Sequence, residues 1–136
     1  MADLGIRARE KTYSDLDFAF KRNPVTDAIS IKRDTEAVKQ SIVNILSTNR
    51  GERPFLPDFG ANLRSYLFEN FDGITASLVE EQIRVAIANY EPRVRILDVQ
   101  VTAVPDRNAM RIFMEFEILS PQAEVTSVEF VVERLR

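Results

Sequence analysis

Apolar positions along the chain follow two different periods. Within 34–48, Val38, Ile42, Ile45 and Leu46 recur at i, i+4, i+7 and i+8, the spacing that lines one face of an α-helix. Asp34 or Thr35 can cap its start. Gly51 stands just past its end, where a left-handed residue commonly closes a helix. A second helical pattern over 75–90 places Val79, Ile83, Ala86, Ile87 and Tyr90 on one face. Thr75 is a candidate cap, and Ser77 with Glu80 offers a capping box two residues later. Pro92 ends this helix, because it disfavours the helical region for Glu91. A short helix is expected over 61–68, with Leu63, Leu67 and Phe68 apolar.

Beyond Pro92 the period becomes two. Leu97, Val99, Val101 and Ala103 alternate with Asp98, Gln100 and Thr102. After a turn at Pro105-Asp106-Arg107-Asn108, Met110, Ile112, Met114, Phe116 and Ile118 alternate with Arg111, Phe113, Glu115 and Glu117. A third run sets Val128, Phe130 and Val132 against Glu129, Val131 and Glu133. It follows a break at Ser120-Pro121-Gln122 and is expected at a sheet edge, where another chain's strand can add to it. The two methionines at period-two spacing read as ordinary core.

The predicted fold class is α+β: a small antiparallel sheet of about three strands, with two long helices and one short helix packed on one face. Residues 1–28 lack sustained periodicity and are read as an N-terminal arm. Tyr13, Leu16, Phe18 and Phe20 are apolar enough to dock along a domain or a partner. Residues 29–136 form the single α+β domain. Between the first two helices runs Arg53-Pro54-Phe55-Leu56-Pro57-Asp58-Phe59-Gly60. Its prolines stiffen the backbone, so that Phe55 and Phe59 can plug the core from a structural loop.

Composition narrows the function classes. The 136 residues are 45% hydrophobic and 29% charged, which suits one domain with a real core. A formal net charge of −3 argues against a nucleic-acid partner. The chain has no cysteine and no histidine, so thiolate metal sites, His-based triads and the ordinary neutral-pH general base are excluded. No cofactor and no metal site are expected. No apolar run reaches a membrane span, and the first residues lack a secretory pattern, so a soluble chain made in the cytosol is expected.

Catalysis would rest on paired carboxylates. Asp58, Glu69, Glu80, Glu81 and Glu91 are the candidates outside the strands. A glycosidase needs two of them across a sugar cleft, one with a raised pKa, and Arg93 two residues from Glu91 pushes the wrong way. No catalytic residue is therefore assigned. Glu91-Pro92-Arg93 itself reads in two ways. An extended backbone after Pro92 would present both charged groups on one side to a partner. Alternatively they form a local salt bridge at a helix-to-strand junction, the commoner arrangement for such a pair.

Three motifs occur in order: Arg53-Pro54-Phe55-Leu56-Pro57-Asp58-Phe59-Gly60, Leu67-Phe68-Glu69-Asn70 and Asn89-Tyr90-Glu91-Pro92-Arg93. Together, across roughly residues 30–133, they resemble the baseplate wedge family of contractile tails, whose members are often labelled lysozyme-like. The resemblance implies a virion structural protein of the tail baseplate, assembled in the host cytoplasm, with one copy per wedge of a six-fold assembly. It implies docking on the wedge core proteins through Glu91, Pro92 and Arg93. It also implies a strand region, here Val128 to Glu133, that receives the tail sheath protein and starts its first ring. A type VI secretion baseplate subunit of the same fold is the alternative setting, and a peptidoglycan glycosidase the alternative activity.

Overall fold

The computed structural model describes residues 13–17, 19–22, 24, 25, 27, 28, 31–70, 72–119 and 124–133. Phe18 and the break at Ser120-Pro121-Gln122 lie outside the described residues. The chain divides into two compact units, Met1–Ala37 and Val38–Arg136. In the first, strand β1 (Ser14–Leu16) pairs antiparallel with β2 (Ile31–Arg33). Asp34 fastens the pair: its N–H donates to the Tyr13 carbonyl at 2.7 Å, and its Oδ1 accepts from the Tyr13 N–H at 3.3 Å. Leu16 and Phe20 are exposed.

Helix α1 (Thr35–Ser47) and helix α2 (Gly73–Tyr90) fall where the apolar spacing places them. Val38, Ile42, Ile45 and Leu46 of α1 and Val79, Ile83, Ala86 and Ile87 of α2 are buried. The cap of α2 is neither Thr75 nor Ser77. Asp72 takes that place, accepting the Thr75 N–H at 2.8 Å and satisfying an amide that has no partner within the helix. That bond, to the charged form, holds the Asp72 carboxyl below its usual value. The expected short helix is a 3₁₀ helix, Leu63–Phe68, with Leu63 buried and Phe68 exposed.

Strands β3 (Val94–Val104), β4 (Ala109–Ile118) and β5 (Glu124–Glu133) form one antiparallel sheet in the order β3-β4-β5. The fold is the small α+β arrangement the sequence predicts. Val99, Val101 and Ala103 oppose Met114, Ile112 and Met110, which in turn oppose Val128, Phe130 and Val132. All five alternating apolar residues of β4 are buried, Phe116 among the largest. Each such side chain contributes roughly 1.5–3 kcal/mol of burial.

One strand position departs from simple alternation. Register shifts between Ile96 and Asp98, leaving Leu97 unpaired in a β-bulge. Ile96, opposite Phe116, takes the core-face place that alternation assigns to Leu97, and Leu97 is exposed. On the other face charges pair across strands: Arg95 with Glu117, and Arg111 with Glu129 at 3.2 Å.

Candidate docking site

The loop between α1 and the 3₁₀ helix is tightly fixed at its base. Gly51, at φ +83, is too far beyond Ser47 to close the helix; its N–H donates instead to the Pro57 carbonyl at 2.7 Å and closes the loop on itself. The Ala61 N–H satisfies the Ile45 carbonyl of α1 at 3.2 Å. Gly60, at φ +108, lies so close to α1's end that a Cβ would sit 2.2 Å from the Thr48 carbonyl oxygen. Only glycine fits there.

Phe59 fulfils half of the expected plugging role. Its half-buried ring meets the Tyr90 ring at 4.8 Å between centroids, and the Arg53 guanidinium lies over the Phe59 ring, 4.0 Å from its centroid. The Tyr90 hydroxyl donates to the Asp58 carbonyl at 2.8 Å. Phe55 does not plug the core. It is fully exposed at φ +69, because the closure by Gly51 and Pro57 turns residues 54–56 outward. Pro54 and Pro57 are exposed beside it.

Tyr90 joins this loop to the turn that follows α2. The Glu91 N–H completes the helix at the Ile87 carbonyl, 2.8 Å, and the Val94 N–H returns to the Glu91 carbonyl at 3.2 Å. The backbone after Pro92 is therefore a turn and not the extended segment the proline suggested. Inside this turn the charged pair closes on itself. Arg93 donates Nε to Glu91 Oε1 at 2.5 Å and Nη2 to Oε2 at 2.6 Å, a bidentate fork. Glu91 is 1% exposed, whereas the Arg93 side chain keeps 26% of its surface and Pro92 is exposed. The Arg93 carbonyl accepts the Leu119 N–H at 2.8 Å, tying the turn to the end of β4.

Burial pushes the Glu91 carboxyl up, but hydrogen bonds from Arg93 and from Ser41 of α1, with the Arg93 charge, outweigh it. The carboxyl is held below its usual value. Ser41 is the member of this site that sequence reasoning missed; nothing in its helical position singles it out. What the turn offers outward is Pro92 and the outer part of Arg93, with Glu91 as the group that orients Arg93.

The other candidate surface is β5, at the sheet edge. Val132 is buried, Val128 and Phe130 are half-buried, and Glu129, Val131 and Glu133 face outward. Glu133 lies 3.9 Å from Arg107. Among the described residues there is no group of three or more carboxylates placed to hold a metal ion. Nor is any helix long and apolar enough to cross a membrane.

A family model described as "Baseplate wedge protein gp25" matches residues 32–122. The baseplate wedge protein gp25 of Enterobacteria phage T4 is 34% identical over 119 residues, covering 88% of this chain and 89% of its own. A putative tail lysozyme from Geobacter sulfurreducens shares the fold with a TM-score of 0.70 at 24% identity, covering 80% of this chain and 98% of that one. A chain of the anti-feeding prophage baseplate shares it with a TM-score of 0.63 at 22% identity, covering 88% and 83%. The chain belongs to the gp25 baseplate wedge protein family.

Proposed function

We propose that this protein is a structural subunit of a contractile-tail baseplate that docks on the wedge core and templates the first ring of tail sheath. The observation that carries the reading is the position of β5. It is a ten-residue strand at a sheet edge, in a chain of this family. A repeating sheath needs a template for its first subunits, and strand addition supplies directional backbone bonds for that purpose. Val128, Phe130 and Val132 anchor the strand from the core side, while Glu129 and Glu133 discourage indiscriminate pairing. In this reading residues 1–28 serve as an arm and residues 29–136 as the working domain.

Docking is assigned to the Glu91-Pro92-Arg93 turn. Its rigidity supports the role: the bidentate pair, the Leu119 bond and the Tyr90 link hold Pro92 and Arg93 in one geometry before any partner arrives. No catalytic function is assigned. The best-buried carboxylate is held ionised by Arg93, which unsuits it as a general acid. Co-purification with separately expressed wedge-core and sheath proteins tests the proposal. Arg93→Lys keeps a cation beside the buried Glu91 carboxylate but removes the planar fork, and is expected to lose the wedge core while retaining its fold. Normal core binding by a folded Arg93→Lys protein would remove the docking assignment.

A further inference from the structure

Helix α2 carries two apolar stripes, and the core uses one. Thr75, Val79, Ile83, Ala86 and Ile87 are buried. Ile74, Leu78 and Val85 point elsewhere and remain 73%, 50% and 39% exposed. Glu81 and Ala88, also exposed, complete a run at intervals of four, three, four and three residues. Such a run is the a/d seam of two heptads, with one charged member at its centre. A helix that only covers a sheet needs one apolar face, and its outward positions are ordinarily polar.

We propose that this second face of α2 is an interaction surface for an amphipathic helix of a different protein chain, one carrying Lys or Arg opposite Glu81. The spacing selects a helix, because a period of 3.5 keeps contact with another helix along its length. The 18-residue α2 is about 27 Å long, enough for both heptads. Glu81 selects the partner's chemistry. Sealed under an apolar residue, its charge would lose water without compensation; opposite a cation it is paired. It also argues against a second copy of this chain. Glu81 lies midway between Ile74 and Ala88, so parallel in-register or antiparallel two-fold pairing would set two Glu81 side chains against each other. Arg84 and Gln82 flank the seam as polar edges. The seam shares no residue with the 91–93 turn or with β5, so substitutions in it test this proposal apart from the docking and sheath assignments.

The test is a titration of the full chain, labelled with ¹⁵N, by two hydrocarbon-stapled helical peptides. The peptides share apolar a and d positions and differ only in Lys or Glu opposite Glu81. The Lys peptide is expected to shift amides of 74–88 saturably and to bind at least about tenfold tighter than the Glu peptide, as a paired against an opposed charge requires. Leu78→Lys should abolish the response, and Glu81→Lys, an exposed change that spares the fold, should reverse the preference. Equal affinities, shifts outside α2, or a Glu81→Lys protein with unchanged preference would overturn the proposal. So would a concentration-dependent dimer that Leu78→Lys disperses, since that result gives the face to a second copy.

Discussion

Glu91 is a carboxylate removed from water and compensated by neighbours on two elements, Arg93 in its own turn and Ser41 on α1. Arg93→Ala leaves the buried carboxylate without its main partner, so it should destabilise the fold by about 3–5 kcal/mol in urea unfolding, and Glu91→Ala by less, because Arg93 reaches water. Because the folded-state carboxyl titrates below its usual value, the unfolded chain takes up this proton first on acidification. The pair's contribution is therefore complete above roughly pH 5 and is lost as the pH falls through the folded-state value. Thermal melts between pH 6 and pH 3 should show a shallower decline for Glu91→Gln than for the unaltered chain; parallel declines would contradict the assignment. Phe55 makes the opposite case. It gains no burial and holds a left-handed backbone that a bulky side chain resists, so Phe55→Asn should raise stability by about 1 kcal/mol. Gly60→Ala should cost at least about 1–3 kcal/mol, given the left-handed backbone and the Thr48 carbonyl in its way.

At the scale of elements, the helices were legible because their apolar residues are local and periodic. Apolar spacing predicts helices over 34–48 and 75–90, and they run Thr35–Ser47 and Gly73–Tyr90. The cap was misplaced although its signal was present: an aspartate three residues before Thr75 can reach that residue's amide. Asp72→Ala should cost about 1 kcal/mol, measurable as a lower urea midpoint. Other features depend on contacts distant in sequence. The bulge at Leu97 exists only in the register between β3 and β4, so an alternating string cannot reveal it. Whether Glu91 faces a partner or its own core depends on where α1 brings Ser41, which the triplet alone does not encode. Phe55 looked like core because it is aromatic; the loop closure between Gly51 and Pro57 decides otherwise.

For the whole molecule, the central claim is that the β5 edge starts a sheath. Successive N–H groups along a strand point to opposite sides, and β5 pairs with β4 without a register break. Of Thr126→Pro and Glu129→Pro, one therefore removes a donor facing outward and the other a donor of the β4 ladder. Circular dichroism separates them, since loss of a ladder bond lowers the melting temperature more. Electron microscopy of particles that have incorporated the better-folded variant is the deciding measurement. The account predicts complete baseplates with absent or short sheaths; sheaths of normal length on those particles would contradict it.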